Sequence, residues 1–176
     1  NNKCMHCCVN LPAADKTALE NESSTGDICR ILREAADLGT LQVRMTGGEP
    51  LLRPDFRELY LYARKLGMRV LIFTNGRLIT PDLADLFIRV PPLVPIEITV
   101  FGMHRRSYES VSGVQGSFAE FRTGLDLLLE RDVPFVVKGV LLPPNRTERQ
   151  EFDAWAAGLP WMDGPPGYVT VFEKRS

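Results

Sequence analysis

The sequence lacks the features that mark membrane, exported and nucleic-acid-binding proteins. No apolar run approaches the roughly 18 residues that a transmembrane helix needs, and there is no signal-peptide pattern. The 176 residues include 21 basic and 22 acidic side chains, so no basic excess favours nucleic acid and no acidic tail favours disorder. This composition is typical of one ordinary globular domain, and we expect a cytoplasmic protein with neither a membrane nor a nucleic-acid partner.

Cysteine is scarce and unevenly distributed. The chain has four cysteines, and three of them, Cys4, Cys7 and Cys8, lie within five residues. Spacing this tight suits a metal site better than a disulfide framework, and the cytosol keeps thiols reduced. The fourth, Cys29, lies in a helical pattern, where we expect a buried free thiol.

Taken alone, the C-x-x-C formed by Cys4 and Cys7 leaves several kinds of site open. It fits half of a structural zinc site, a redox pair or part of an iron–sulfur ligand set. Zinc would need two more ligands, and the candidates are His6, Cys8, Cys29 and His104. Zinc is the weakest of these hypotheses, because residues adjacent to Cys7 in sequence rarely bind the same metal comfortably.

Apolar periodicity and turn residues predict a strict alternation of helices and strands. The predicted helices cover residues 25–38, 53–67, 80–90, 117–132 and a last segment that begins near Thr147. The predicted strands cover residues 41–46, 69–74, 95–101, 134–142 and 168–172. Such alternation indicates an α/β fold with a parallel sheet, either open or curled into a barrel.

Three local details carry further expectations. The helix over 25–38 has Ile28, Ile31, Ala35 and Leu38 at helical spacing, which predicts its buried face. Ser117 and Glu120 predict a capping box at the start of the helix over 117–132. The segment before it, with His104 and Arg105, is interpreted as a loop where a substrate would be expected, although loop charges are usually only solvated.

Several predicted strands carry polar residues on one face. These residues are Gln42, Arg44, Thr46, Glu97, Thr99, Lys138 and Thr170. A parallel strand that is covered on both faces is almost continuously apolar. The alternation therefore favours a barrel whose lumen is lined for a polar ligand, with a solvent-exposed sheet face as the alternative.

Short motifs stand at the carboxyl ends of three strands, where ligands collect in α/β sheets and barrels. They are "TGGEP" (46–50), "TNG" (74–76) and "TVFG" (99–102). In "GGEP", the two glycines allow close approach of the backbone to a ligand. The Glu49 carboxylate can pair with an ammonium group, and Pro50 stiffens the backbone that follows it. Alone, "GGEP" fits an ordinary strand-to-helix turn equally well.

Residues 1–8, which carry Cys4, Cys7 and Cys8, are called the cysteine segment. This segment, followed by "GGEP" and "TNG", resembles the radical S-adenosylmethionine (radical SAM) superfamily. Its cluster loop reads C-x-x-x-C-x-x-C, with three thiolates on a [4Fe–4S] cluster. Cys4 and Cys7 match the second and third ligands, and the first would fall immediately before Asn1. Cys8 stands where the family usually has an aromatic residue, which leaves the packing over the cluster open.

The resemblance implies a partial, open (β/α) TIM-like barrel. It also implies that residues 1–176 are the core of a longer protein, with the first strand and first cysteine ligand upstream. A cysteine-rich (SPASM or twitch) auxiliary domain is expected downstream, because the "GSF" loop (116–118) and the helix after it resemble members that modify peptides and proteins.

The resemblance also implies roles for individual residues. "GGEP" would bind the methionyl amino group of SAM, Asn75 would lie near the ribose, and Thr99 would face the ribose or the carboxylate. Lys138 would pair with that carboxylate, unless its ammonium group simply reaches solvent. The implied SAM site is Gly47, Gly48, Glu49, Pro50, Asn75, Thr99 and Lys138, with Val140 and Leu141 beside adenine.

The implied activity is reductive cleavage of SAM by the cluster to a 5′-deoxyadenosyl radical, which abstracts a substrate hydrogen. The electron would come from a low-potential flavodoxin- or ferredoxin-type donor, and the substrate would be a peptide or protein. The alternatives are a radical SAM enzyme that acts on a small molecule, and a non-catalytic metal-binding α/β module.

Overall fold

The computed structural model describes residues 1–5, 7, 17 and 20–169. Its helices and strands alternate, except that two helices lie between the third and fourth strands. The helices are α1 (Thr25–Asp37), α2 (Phe56–Lys65), α3 (Pro81–Arg89), α4 (Arg105–Ser112), α5 (Ser117–Leu129) and α6 (Arg149–Ala157). The strands are β1 (Gln42–Met45), β2 (Arg69–Thr74), β3 (Ile96–Val100), β4 (Phe135–Val140) and β5 (Gly167–Val169). Short 3-10 helices span Pro50–Leu52 and Arg146–Glu148. No helix among these elements is both long and apolar enough to cross a bilayer.

The five strands form one parallel sheet in the order β1-β2-β3-β4-β5. Each strand lies beside the one before it, so the chain winds in one direction and the order never reverses, unlike in a doubly wound sheet. The result is an open half-barrel. The α/β, partial-barrel prediction is therefore confirmed.

The two faces of the sheet differ in polarity. In β3, Ile96, Ile98 and Val100 are buried, whereas Glu97 and Thr99 on the other face are half-buried. On that polar face, the Arg44 guanidinium lies 4.7 Å from the centre of the Phe73 ring, and the Lys138 ammonium lies 5.2 Å from the same ring. Side chains of β1, β2 and β4 thus meet on one face, as the alternation in the sequence predicts.

Side-chain caps mark the starts of two helices, α1 and α3. The Thr80 side chain accepts a hydrogen bond from Leu83 N (3.3 Å) ahead of Pro81, the first residue of α3. The Ser24 side chain accepts one from Asp27 N (3.1 Å) at the start of α1. Such caps satisfy backbone donors that have no partner within the helix.

The structure corrects two expectations between β3 and α5. Arg105–Ser112 is a helix, not a loop, and it buries Tyr108 and Val111 completely. The predicted capping box is wrong, because Gly116 (φ 80°) is the N-cap of α5. The Ser117 hydroxyl instead donates to Val114 O at 2.7 Å, so it closes the turn between the two helices.

The buried face of α1 also differs from the prediction. Ile31 and Leu38 are 51% and 88% exposed, whereas Leu32 is buried. Two apolar stripes overlap on this helix, and the one that packs runs through Ile28, Leu32 and Ala35. Spacing alone does not distinguish these stripes.

Candidate functional site

The Glu49 carboxylate is buried at the carboxyl end of β1, with its residue only 7% exposed. Its Oε1 accepts hydrogen bonds from Thr74 Oγ1 (2.7 Å) and Leu51 N (3.2 Å), and its Oε2 accepts one from Asn75 N (2.8 Å). Donors from the end of β2 and from the short helix after β1 therefore fix both oxygens.

Burial raises the pKa of the Glu49 carboxyl, and the hydrogen bonds from Asn75, Thr74 and Leu51 offset only part of that effect. No lysine or arginine side chain in the described ranges forms an ion pair with this carboxylate. A buried carboxylate with neutral donors only is costly to ionise, and a cation placed beside it would relieve that cost.

Two glycines leave open space next to this carboxylate. A Cβ placed on Gly47 or Gly48 would meet no atom within 4 Å. Gly47 has a φ of 136°, a backbone conformation that favours glycine. The turn between β1 and Glu49 therefore has room for a ligand close to the backbone.

The "TNG" turn after β2 is held by its own side chains. The Thr74 hydroxyl accepts a hydrogen bond from Gly76 N (3.0 Å), and Asn75 Oδ1 accepts one from Arg77 N (3.1 Å). Asn75 Nδ2 donates to Asn1 Oδ1 at 2.9 Å. The turn thus connects the Glu49 site to the segment that carries the cysteines.

Residues 3–5 of the cysteine segment pack against the carboxyl end of α4. Lys3 N donates to Ser112 O (2.8 Å), and Met5 N donates to Val111 O (3.1 Å). Gly113 makes this approach possible, because it has a φ of 69° and a Cβ there would lie 2.6 Å from Lys3 O. The helix that the sequence did not predict is therefore part of the site.

A turn joins Cys4 and Cys7, in which Cys7 N donates to Cys4 O at 3.2 Å. Burial raises the pKa of the Cys4 thiol, and the charge of Cys7 raises it further. The described residues contain no group of three or more metal-binding side chains, and His6 and Cys8 lie outside them. Two adjacent thiols fit part of an iron–sulfur ligand set, because these clusters are held by thiolates. Cys29 is a half-buried free thiol.

Thr99 and Lys138 are neighbours across β3 and β4 on the polar face. The Lys138 ammonium forms an ion pair with the Glu97 carboxylate of the same face. Its charge is thus compensated within the half-barrel. His104 and Arg105, by contrast, are exposed, and they contact Glu151 (Nε2–Oε2, 3.0 Å) and Glu109 (Nε–Oε1, 3.3 Å).

A small pocket lies at the carboxyl ends of β3 and β4 and is lined in part by Gly102, Val140 and Leu141. Asn145, only 3% exposed, donates through Nδ2 to Phe101 O (2.9 Å) and Val140 O (2.6 Å). This asparagine was not singled out in the sequence. Its position after a strand, ahead of a helix, is the one local signal for it.

Helix α5 supports the "TNG" turn through a glycine contact, which gives a first testable prediction. A Cβ on Gly124 would lie 2.0 Å from Gly76 O. We expect Gly124→Ala to force the helix and the turn apart and to lower the free energy of unfolding by about 1–3 kcal/mol, the usual cost of overpacking. Denaturant unfolding measures this cost.

Gly26→Ala is the matched control, since a Cβ at that exposed position of α1 would meet only Ser24 Oγ, at 3.8 Å. It should be neutral or stabilising, because alanine is the better helix former. Equal free energies of unfolding for the two variants would contradict the tight contact.

Comparison with known proteins assigns the family. The model of the radical SAM superfamily matches residues 1–156, and the chain belongs to that superfamily. An AdoMet-dependent heme synthase of Methanosarcina barkeri is 28% identical over 148 residues, which are 84% of this chain and 41% of the relative. A PqqA peptide cyclase of Xanthomonas euvesicatoria is 29% identical over 124 residues, which are 70% of this chain and 33% of the relative.

The fold has a solved counterpart. The structure of native anSMEcpe with bound AdoMet superimposes with a TM-score of 0.62 at 18% identity, over 80% of this chain and 40% of that one. At this level of identity the likeness concerns the fold. The chain spans about two fifths or less of the length of these relatives.

Proposed function

We propose that this chain is the SAM-binding core of a radical SAM enzyme that modifies a peptide or protein. The observation that carries the proposal is Glu49, a buried carboxylate that is fixed through both oxygens and has no ion pair with a cationic side chain of the described residues. It stands beside two glycines whose missing side chains leave open space. An ammonium group of a ligand bound there would gain a charge-assisted hydrogen bond.

The remaining residues of the proposed SAM site are assigned from the family resemblance. Gly47 and Gly48 would let the methionyl group approach the backbone, and Pro50 holds the start of the short helix that donates to Glu49. Asn75 and Thr99 would face the ribose and the carboxylate. Lys138 would bind the carboxylate as a shared partner with Glu97.

Cys4 and Cys7 would hold two irons of a [4Fe–4S] cluster, at the rim where Asn75 contacts the cysteine segment. When bound and reduced, such a cluster supplies the electron that cleaves SAM and so starts the radical chemistry. The chain's own contribution is to orient SAM through the groups above and to keep water from the buried Glu49. A low-potential flavodoxin- or ferredoxin-type donor in the cytoplasm would supply the electrons.

Support for a peptide substrate comes from the PqqA peptide cyclase among the relatives. The heme synthase among them favours a second candidate, a tetrapyrrole substrate. Incubating the reduced enzyme with SAM and either a candidate precursor peptide or an iron coproporphyrin distinguishes the two. Mass spectrometry should show a mass change in the peptide, and a change in the porphyrin alone would favour the second candidate.

The raised pKa of Glu49 gives a prediction for SAM binding. The ammonium of SAM pairs with the ionised carboxylate, so SAM affinity should fall as the pH drops through this raised pKa, by up to about tenfold per pH unit, until it reaches the affinity of the uncharged side chain. The fall should begin at a higher pH than for an ordinary glutamate, whose pKa is near 4.5. Titration of SAM into the cluster-loaded protein at several pH values, with iron content monitored, measures it.

The control is Glu49→Gln, which has no charge to titrate and should bind SAM with the same weaker affinity at each pH. The folding stability of the unliganded wild type should change in the opposite direction and increase as the pH falls. Since folding raises this pKa, the folded state binds the proton more tightly, and Glu49 costs less stability as the pH falls. An identical pH profile of SAM affinity in both proteins would rule out Glu49 as the titrating group.

A further inference from the structure

The charged side chains of the five described strands all lie on one face of the sheet. They are Arg44, Arg69, Glu97 and Lys138. Residues two apart in a strand share a face, and three register pairs connect the strands: Arg44 with Leu71, Phe73 with Glu97, and Thr99 with Lys138. The polar face of the half-barrel therefore carries three basic side chains and one acidic one.

The Phe73 ring holds two of these basic groups close together. The Arg44 guanidinium lies 4.7 Å from the ring centre, and the Lys138 ammonium lies 5.2 Å from it. An aromatic ring attracts a cation near its face. The two positive charges are thus held beside the same ring although they repel each other.

Only one of the two charges is compensated. The Lys138 ammonium forms an ion pair with the Glu97 carboxylate. The Arg44 side chain is exposed, and it has no ion pair or hydrogen bond with any residue that the structure describes. Its N–H donors are therefore available to a ligand on the open face, and an anion there would relieve the repulsion between the two cations.

This face adjoins the proposed SAM site. Strand β1, which carries Arg44, leads directly into the turn of Gly47 and Glu49, and Lys138 lies beside Thr99. A substrate that reaches SAM at this rim would lie against the same face. The anionic groups of an unmodified peptide are carboxylates, and the planar guanidinium fork matches a carboxylate through two parallel hydrogen bonds.

We propose that Arg44 binds a carboxylate side chain of the peptide substrate beside Phe73, so that the enzyme selects peptides with an aspartate or a glutamate at that position. The bound carboxylate compensates Arg44 as Glu97 compensates Lys138, which is the charge complementarity that confers specificity at an interface. The inference rests on the proposed function, since it places the peptide next to bound SAM.

Anaerobic calorimetric titration of three pentapeptides tests the inference on the gene product that carries this chain, loaded with cluster and SAM. Two peptides have blocked ends and glycine on either side of a central glutamate or a central glutamine. The third is all glycine with a free C-terminal carboxylate. The glutamate peptide should bind about tenfold more tightly than the glutamine peptide, the scale of a hydrogen bond to a charged group.

Three results of this titration would overturn the inference. They are no binding of the glutamate peptide by the wild type, equal affinities for the glutamate and glutamine peptides, and equal or tighter binding of the all-glycine peptide. The last result would assign the site to the C-terminus of a peptide instead of a side chain.

Arg44→Gln should lower the affinity for the glutamate peptide about tenfold and leave the affinity for the glutamine peptide unchanged. Arg44→Lys should fall between the wild type and Arg44→Gln, because lysine keeps the charge but lacks the planar fork. Arg122→Gln is the matched control: Arg122 is exposed on α5, away from the strands, and its loss should change neither affinity. Equal losses for both peptides in Arg44→Gln would contradict a contact with the carboxylate.

Two further measurements separate the other ligands. Weaker SAM binding by Arg44→Gln in the absence of peptide would show that Arg44 contacts SAM, and it would overturn the inference. Iron coproporphyrin also carries carboxylates, and binding of this porphyrin that depends on Arg44, with no peptide bound by the wild type, would overturn the peptide as occupant. Failure of the wild type to cleave SAM would instead overturn the proposed function, and it is distinguishable because the titrations need no turnover.

Discussion

Cys4→Ala and Cys7→Ala should each leave the gene product without the SAM-responsive [4Fe–4S] cluster after anaerobic reconstitution. Each change removes one of the two thiols that the turn at Cys4–Cys7 brings together. Iron–sulfur clusters are held by cysteine thiolates, and alanine supplies no ligand atom in place of the sulfur. Iron and sulfide content, together with the visible absorption of the reconstituted protein, measure the loss.

Cys29→Ala is the matched control, since Cys29 is a free thiol on α1, outside the segment, and it should leave the iron content unchanged. Cys8→Ala should also largely spare the cluster, because the resemblance places Cys8 at a position that does not bind iron. Equal loss in the Cys4, Cys7 and Cys8 variants would show that the ligand assignment is wrong.

Glu49→Gln should weaken SAM binding by about 1.5–3 kcal/mol, the scale of a hydrogen bond to a charged group. Glutamine keeps the size of the side chain and one acceptor oxygen, although its NH2 group cannot accept the hydrogen bonds made to the other oxygen. The lost element is the negative charge that would face the ammonium of SAM. Titrating SAM into both proteins with the cluster intact measures the difference.

Glu130→Gln is the matched control, because the Glu130 side chain is 68% exposed and its ion pair with Arg131 spans 3.6 Å. Its SAM affinity should equal that of the wild type. If Glu49→Gln binds SAM as tightly as Glu130→Gln does, "GGEP" is only a turn in this protein.

The fold was predictable where local signals and global architecture agree. Strand β2 has the predicted limits, 69–74, because its apolar run is bounded by turn residues on both sides. The polar alternation in β3 identified the open face of the sheet, since period two in a strand separates the two faces.

Helix α4 was not predictable in the same way. Its sequence, RRSYESVS, is short and polar, and no capping side chain marks its start. A helix of eight residues is marginal on its own and depends on tertiary packing. Here Tyr108 stacks on Phe121 of α5, with ring centres 5.0 Å apart. No local sequence pattern predicts this contact.

Part of the candidate site was predictable from the sequence and part was not. That Glu49 and Asn75 would meet follows from the rule that the carboxyl ends of adjacent parallel strands lie at one edge. The contacts of Arg77 and Gly113 with the cysteine segment depend instead on where that segment packs. The contact from Arg77 to Asn1 spans 76 residues of sequence, and the approach of Lys3 to Gly113 is equally remote from any local pattern.

Formation of 5′-deoxyadenosine from SAM is the measurement that tests the central claim most directly. The gene product that carries this chain, reconstituted anaerobically and reduced, should convert SAM to 5′-deoxyadenosine, as followed by liquid chromatography and mass spectrometry. Cys4→Ala should form none, and Glu49→Gln should form less at limiting SAM. A wild-type protein that carries a complete [4Fe–4S] cluster, is reduced and still yields no 5′-deoxyadenosine would contradict the account and identify a metal-binding domain without this catalysis.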